Sequence, residues 1–446
     1  MHDPATDTIA ALATPSGRGG IGVIRLSGER APAIARQILD DLPAPRHAAL
    51  CWFHDLERAP LDRGIALYFP GPHSYTGESV IELQAHGGPM VLAALLETAL
   101  ALGARLAEPG EFTRRAYLNG KMDLAQAEAV IDLINSATQT AARAAARTLH
   151  GDFSNDIHQL VDALNKLRVH VEAAIDFPDE EIDFLSDPLI EQRLADVTAR
   201  LAALQRRAGR GQRLRDGMTI VIAGCPNAGK SSLLNRLAGH DAAIVTDRPG
   251  TTRDVLREDI ELDGLPLRIV DTAGLRDSDD PIEAEGVRRA RLALDNADLV
   301  LHVVDVTDAA TDDVQLPDIP VVVVRNKIDL AHGTPLRAAH AGADEVIDLS
   351  ALTGEGVGAL IELLKRRAGY EADAEGNVIA RRRHLDALAR AAEHVHRGTR
   401  ELKAHAAGEI MAEELRLAQQ CLGEITGQVT SDRLLGDIFS NFCIGK

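Results

Sequence analysis

Apolar residues follow two different periods along this chain. In the middle third they form short runs bounded by glycine, proline and acidic residues: Thr219 to Ala223, the mostly apolar Leu267 to Val270, Val321 to Val324 and Val346 to Leu349. Continuous runs of this length read as strands buried on both faces of a parallel sheet. Leu233, Leu234 and Leu237 open a helix after the first of them. Asp263-Gly264 joins Val255–Leu262 to Leu265–Val270 and is the dipeptide of a tight hairpin, so the sheet gains one antiparallel edge strand. On either side the period is helical. Leu124, Ala127, Ile131 and Ile134 recur in an alanine-rich stretch, with an acidic break at Pro178 to Glu181. After a loop over Tyr370 to Asn377 come Leu385 and Leu388, then Met411, Leu415, Ala418 and Leu422. Neither helical stretch has the caps and faces of an isolated bundle, which implies one discontinuous helical domain with the α/β block inserted into it. The first 120 residues mix short strands with glycine and proline turns, such as Pro15 to Gly22 and Pro70 to Gly77. The expected architecture is α/β and multidomain: an α+β domain over 1–120, helical halves over 121–216 and 373–446, and a nucleotide domain over 217–372.

Chemistry concentrates at the ends of the predicted strands. Gly224-Cys-Pro-Asn-Ala-Gly-Lys-Ser231 fits G-x-x-x-x-G-K-[ST], with a strand before it and a helix after it. Backbone N–H groups of Asn227, Ala228 and Gly229 can cradle phosphates there, with Ser232 on the helix that follows. Lys230 would reach the β- and γ-phosphates and the Ser231 hydroxyl would bind Mg²⁺. Asp271-Thr272-Ala273-Gly274 supplies an aspartate for a Mg²⁺-bound water and a glycine N–H for the γ-phosphate. In Asn326-Lys327-Ile-Asp329 the aspartate can accept both N–H groups of a guanine edge. Adenine lacks that pair of donors, and an unpaired buried carboxylate is costly, so the site should reject it. Ser350-Ala351-Leu352 can cover the base with backbone N–H groups. Four motifs in order, each at the C-terminal end of a strand, define a guanine-nucleotide-binding domain. It resembles the translation-factor class of GTPases.

Composition narrows the setting. With 48 Lys and Arg against 67 Asp and Glu, the net charge of −19 excludes a general polyanion binder. Any action on nucleic acid needs a local patch or a basic partner. The cysteines Cys51, Cys225, Cys421 and Cys443 are scattered without a C-x-x-C, which argues against a disulfide framework or zinc knuckle and fits a reducing cytoplasm. No signal peptide and no apolar run long enough for a bilayer is expected. Gly17 to Gly22 precedes its apolar run instead of joining a strand to a helix, so it is no dinucleotide fingerprint. His86-Gly-Gly88 has no G-x-S-x-G to accompany it as an esterase oxyanion loop, and Cys443-Ile-Gly-Lys446 is a poor prenylation box.

The hydrolytic apparatus departs from that of small regulatory GTPases. Leu275 stands where they carry the glutamine that orients water. Asn227 is either a turn-capping amide or a ligand for a monovalent cation beside the phosphates. The loop Pro249-Gly250-Thr251-Thr252-Arg-Asp254 offers carbonyls to complete such a cage and a threonine hydroxyl for Mg²⁺. These loops with Asp271-Thr-Ala-Gly-Leu-Arg276 resemble potassium-dependent tRNA-modifying and ribosome-associated GTPases. The flanks choose among them. Ala13-Thr-Pro-Ser-Gly-Arg-Gly-Gly-Ile-Gly22, Glu82-Leu-Gln-Ala-His-Gly-Gly88, Pro109-Gly-Glu-Phe-Thr-Arg114, Asn119-Gly-Lys-Met-Asp-Leu-Ala-Gln-Ala-Glu128 and Phe442-Cys-Ile-Gly-Lys446 resemble the MnmE (TrmE) family of tRNA uridine modification GTPases, end to end.

The resemblance implies a GTP hydrolase that acts with a flavoprotein partner, MnmG (GidA), which carries FAD. Together they add an aminomethyl or carboxymethylaminomethyl group at C5 of the wobble uridine of certain tRNAs. A tetrahydrofolate derivative (5-formyl or methylene) supplies the carbon and is implied at Arg25, Glu82, Lys121 and Lys446. Potassium is implied at Asn227 and the carbonyls of Thr246, Arg248 and Thr251, with Asp247 and Pro249 in the same nucleotide-contacting loop, and Mg²⁺ at Ser231 and Thr252. Glu283 takes the position of the acid that orients water, and Arg276 orders the switch. Read as residues alone, both are exposed helix-start charges. Cys443 is implied near the folate, as a nucleophile or as packing. A cytoplasmic homodimer, assembled with MnmG into a heterotetramer or larger complex and without membrane attachment, completes the expectation. The alternative is a ribosome-assembly GTPase without chemistry of its own.

Overall fold

The computed structural model describes residues 7–176, 188–225, 227–239, 257–262, 264–271, 297–307, 319–331, 345–368, 376–429, 432–440 and 442–445. The chain forms two compact units, one of residues 1–131 with 420–446 and one of residues 132–419.

The first unit is built on a six-stranded sheet. Its strands are β1 (Ile9–Leu12), β2 (Gly19–Ser27), β3 (Ala49–His54), β4 (Pro60–Phe69), β5 (Val80–Gly87) and β6 (Arg105–Leu106), in the order β3-β4-β5-β2-β1-β6. All neighbours are antiparallel except β1 and β6. One face packs Ile24, Leu26, Ile81 and Leu83 against Ile34 and Ile38 of α1 (Ala31–Ile38) and Leu95 of α2 (Pro89–Ala101). The other gathers Ile9, Ala11 and Ala107 with Phe112 of α3 (Glu111–Leu118). The glycines expected in a turn over Pro15 to Gly22 enter β2 instead, from Gly19 onward. Pairing with β5 explains this, and Gly22 leaves room for Leu92 of α2: a Cβ there would lie 2.4 Å from Leu92 Cδ1. The C-terminal helix returns to this unit. Leu435, Ile438 and Phe439, with Phe442 beyond it, join Leu124, Ala127 and Ile131 in one cluster.

A buried ionic cluster ties the ends of this unit's elements together. Arg115 Nη2 lies 2.5 Å from Asp7 Oδ1 and 2.8 Å from Glu111 Oε1, and its Nη1 lies 3.1 Å from Glu78 Oε1. Arg105 adds a second contact to Glu111 at 2.6 Å. Burial pushes the carboxyl of Glu111 up, but Arg105, the Glu108 N–H and Arg115 together hold it below the usual carboxylate range. Asp7 is held low by the same two guanidinium groups against its own burial.

The second unit holds a bundle and a second sheet. Its helices are α5 (Gln139–His150), α6 (Asp152–Asp176), α7 (Pro188–Asp216), α10 (Arg382–His405) and the first part of α11 (Gly408–Thr426). α4 (Leu124–Ile134) spans the division between the units, and its last apolar position, Ile134, is half exposed. Each expected apolar stripe is otherwise buried where described: Leu388, Met411, Leu415, Ala418 and Leu422 are fully enclosed, and Leu385 is half-buried. The acidic break at Pro178 to Glu181 lies outside the described residues. The sheet contains β7 (Met218–Ala223), β8 (Arg257–Leu262), β9 (Leu265–Asp271), β10 (Leu299–Asp305), β11 (Val321–Asn326) and β12 (Glu345–Asp348). Its order is β12-β11-β10-β7-β9-β8, parallel throughout except for the β8–β9 hairpin, where Leu262 pairs with Leu265. α8 (Lys230–Ala238) and α9 (Val357–Arg367) cover it, burying Leu233, Leu234, Leu237, Leu360 and Leu364. Among the described residues no helix is long and apolar enough to cross a membrane.

Arg115→Met removes the cation that three carboxylates share, and should destabilise the first unit by about 3 kcal/mol or more, because a buried charge is left uncompensated. Urea unfolding at neutral pH measures it. The folded carboxyls of Asp7 and Glu111 sit below their unfolded values. Their contribution is therefore complete above the unfolded range, about pH 4 to 5, and is lost as pH falls through the depressed folded values. Glu111→Gln should flatten that acid limb while leaving the slope above pH 6 unchanged.

Candidate guanine-nucleotide site

The parallel strands of the second unit end at one edge, and the expected motifs sit there. β7 delivers the chain into Gly224 and Cys225, and α8 starts at Lys230. Gly229, the cap residue before α8, has φ 95°, and a Cβ there would lie 2.2 Å from Asn326 Nδ2. Only glycine allows the phosphate loop to approach β11 this closely. Asn227 is exposed with φ 64°, a left-handed conformation that asparagine tolerates. Lys230 Nζ donates to the carbonyls of Gly224 at 2.8 Å and Cys225 at 3.0 Å, so its ammonium lies over the loop that would hold phosphates. Ser231 and Ser232 are exposed on the first turn of α8.

Asn326 is almost fully buried and joins three segments. Its Nδ2 donates to Ala228 O at 2.8 Å, and its Oδ1 accepts from Ala351 N at 2.9 Å. One amide thus fixes the phosphate loop against the loop that carries Ser350, Ala351 and Leu352. Ser350 is buried, and its Oγ accepts from Thr353 N at 3.1 Å. Lys327 adopts φ 68°, and its Nζ lies 2.6 Å from Asp305 Oδ2. Burial raises the Asp305 carboxyl, but the bonds from Lys327 and Thr307 hold it below its ordinary value. Asp329 is the central residue of a short 3-10 turn (Ile328–Leu330). Its Oδ1 is buried and has no hydrogen-bond partner among the described residues. An orphaned carboxylate oxygen is expensive unless a ligand donates to it, and a guanine edge with paired N–H donors fits that demand.

Two residues here went unread in the sequence. Arg236, in the last turn of α8, donates from Nε to Ala351 O at 3.0 Å and from Nη2 to Leu352 O. It braces the Ser350–Leu352 loop from the far end of the helix that starts at Lys230. Asp305, the Lys327 partner, ends β10 directly opposite Asn326 in the parallel register. A lone aspartate closing an apolar run was the available signal. Asp271 ends β9 beside Ile222. Thr246, Asp247, Arg248, Pro249, Gly250, Thr251, Thr252, Thr272, Ala273, Gly274, Arg276 and Glu283 lie outside the described residues.

In the first unit, Arg25 on β2 faces Glu82 on β5 in register. The two form a partly buried pair, with Nε to Oε1 at 2.9 Å. Arg25 also stacks near Tyr75 and Phe112, 5.8 and 5.7 Å from the ring centroids, and reaches Gly445 O at 3.4 Å. The tail beside Cys443, which is exposed, is therefore held against β2 from 420 residues away. Lys121 donates to Pro72 O at 3.0 Å, in the same 70–77 loop that supplies Tyr75. Lys446 lies outside the described residues.

A glycine-cradled phosphate loop at the end of β7, held by the buried amide of Asn326, is the core of a P-loop hydrolase of GTP. The family model of the MnmE helical domain matches residues 124–443, and that of the GTP-binding protein TrmE N-terminus matches residues 8–121. The chain belongs to the MnmE (TrmE) family of tRNA modification GTPases. Solved structures similar to part of it include the G domain of the Thermotoga maritima FeoB iron transporter, 25% identical over 34% of this chain and 98% of that one, with a TM-score of 0.26. Another is an Aquifex aeolicus Era variant bound to GDP and aluminium fluoride, 25% identical over 40% and 66%, with a TM-score of 0.27. A third is the elongation factor SelB of Methanococcus maripaludis with a GTP analogue, 21% identical over 34% of each chain, with a TM-score of 0.25.

Asp329→Asn replaces two acceptors by one acceptor and a donor. GTP affinity should fall about a hundredfold, or roughly 3 kcal/mol. Xanthosine triphosphate, which presents a carbonyl in place of the exocyclic amine, should gain relative to GTP. Titration calorimetry with both nucleotides checks this, and equal losses for the two would refute the assigned contact.

Proposed function

We propose that this GTPase drives the modification of wobble uridine at C5, with a tetrahydrofolate derivative as one-carbon donor and the flavoprotein MnmG as partner. Residues 1–120 form the folate-binding and dimerising domain, 217–372 the GTPase domain, and 121–216 with 373–446 the helical domain. The observation that carries the reading is the meeting of Arg25 on β2, Glu82 on β5 and the Gly445 carbonyl within the first unit. Glu82 suits the donor edge of a pterin, and Arg25 and Lys121 suit a glutamate tail or the polar ring atoms. Burial raises the Tyr75 phenol above its ordinary value, against the Thr113 hydrogen bond and the Arg25 charge, so a neutral aromatic wall flanks the pair at neutral pH. Cys443, two residues from Gly445, falls within the same tail. Lys446 would complete the contacts.

For hydrolysis, Leu275 cannot orient water, and potassium bound at Asn227 and the carbonyls of Thr246, Arg248 and Thr251 would supply the missing positive charge. Mg²⁺ would sit at Ser231 and Thr252, Glu283 would position water through a second water, and Arg276 would order the switch. The protein works as a cytoplasmic homodimer that assembles with MnmG, and FAD resides on that partner. Nucleoside analysis of tRNA from a deletion strain complemented with this chain tests the reading. Restored carboxymethylaminomethyl or aminomethyl uridine is expected, and its absence at normal expression would overturn the reading in favour of a ribosome-assembly role.

GTP hydrolysis should be faster in potassium than in sodium, and Asn227→Ala should bind GTP yet lose that difference. Cys443→Ser should hydrolyse GTP at near the parental rate while the modified uridine is strongly reduced. Glu283→Ala should show the reverse pattern at the nucleotide site: slow hydrolysis with nearly unchanged affinity, since a positioned water stabilises only the transition state. Parallel losses of both activities in Cys443→Ser would refute separate sites.

A further inference from the structure

The helices of the second unit divide their charge unevenly. α7 carries seven arginines against three acids, α10 six lysines and arginines against three acids, and α5 two arginines and no acid. α6 and α11 run the other way, with five acids against two bases and four against one. In a chain of net charge −19, a concentration of cations on three helices needs a cause.

Some of their arginines serve the fold, as Arg207 does with Asp156 and Arg215 with Asp132, but others have no such role among the described residues. Arg143 and Arg147 lie four residues apart on the exposed face of α5, and neither has an ion-pair or hydrogen-bond partner among the described residues. Like charges at that spacing cost a helix a few tenths of a kcal/mol, so they do not serve stability. Arg206 of α7 and Arg382, the first residue of α10, are likewise exposed and unpaired among the described residues. Arg210 lies one turn before Leu214, and its buried Nε has no hydrogen-bond partner among the described residues. Arg143 and Arg147 bracket two residues of one junction on α5, Arg210 lies one turn from it on α7, and Arg382 follows three residues after Ile379. Ala144 and Ala145 of α5, Leu214 of α7 and Ile379, just before α10, share a cluster. Ile379 N donates to Thr148 Oγ1 at 2.8 Å, and Gln205 Nε2 donates to Leu388 O at 3.2 Å. A polar cavity of about 590 Å³ beside the junction is lined by Asp132, Asp216 and Asp298 as well as Arg213, Arg215 and Arg268, so it selects neither sign.

Cations spread over three helices match a series of fixed anions better than one small ion. We infer that the arginine surface of α5, α7 and the start of α10 takes the phosphate backbone of the tRNA substrate. The inference rests on the family reading of tRNA as substrate. The acidic remainder of the chain repels RNA elsewhere, so this surface both binds and orients it.

The test is fluorescence anisotropy of an unmodified tRNA transcript with the full-length protein, titrated over salt. The parent should show a steep inverse salt dependence. Arg143→Gln/Arg147→Gln should weaken binding by roughly tenfold per arginine and lower the log–log salt slope by about two. The double lysine variant should retain the slope. Arg416→Gln should bind as the parent does, because that cation lies on α11 and is paired with Glu413 at 2.7 Å. Unchanged GTP hydrolysis in each variant shows that the fold is intact. Parental affinity and slope in the glutamine variant would overturn this surface and leave the modification reading standing, since nucleoside analysis judges that separately. Arginine-dependent binding to phosphatidylserine vesicles without binding to tRNA would also overturn it.

Discussion

The buried amide of Asn326 is the contact on which the nucleotide edge depends. It ends β11, donates to the phosphate loop at Ala228 and accepts from Ala351 in the base loop. Each bond is worth about 1 kcal/mol net, but losing the amide strands two buried backbone groups at a cost of about 1 to 3 kcal/mol each. Two functional loops therefore hold one geometry because a single side chain satisfies both. Gly229 leaves room for that amide, and Arg236 holds the base loop from its other side. Between them, Asp329 keeps an oxygen without a partner among the described residues, which suits a guanine edge.

The parallel sheet explains why the site lies where it does. Parallel strands all deliver their C-terminal ends to one edge, so segments more than a hundred residues apart open their loops side by side. Here β7, β10, β11 and β12 bring Gly224, Asp305, Asn326 and Ser350 to that edge. The β8–β9 hairpin closes the opposite margin without interrupting the set.

Charge serves different ends in the two units. In the first, Arg115 and Arg105 are consumed by Asp7, Glu78 and Glu111, and the ionic cluster is internal. In the second, Asp132 is gripped by Arg215 and Arg381, both at 2.8 to 2.9 Å, while arginines farther out on α5 and α7 remain unpaired among the described residues. The paired cations belong to folding. The unpaired ones follow the logic of an intermolecular surface.

Local chemistry determined much of this protein. The phosphate-loop spacing, the strand before it, the helix opened by Leu233, Leu234 and Leu237, and the Asp263-Gly264 hairpin all follow from patterns within ten residues, where propensity and burial act directly. The apolar faces of the helices were legible for the same reason, down to Met411, Leu415, Ala418 and Leu422. Tertiary structure alone decided which distant side chains meet. Arg25 faces Glu82 because of the β2–β5 register, and Gly445 reaches Arg25 because the last helix packs on α4. Gly19 to Gly22 lie in a strand rather than a turn because they pair with β5, and Gly22 leaves room for Leu92. The pairing of Asp305 with Lys327 and the reach of Arg236 to Ala351 were equally hidden. Such contacts depend on register and chain return, and neither leaves a periodic trace in the residues that make them.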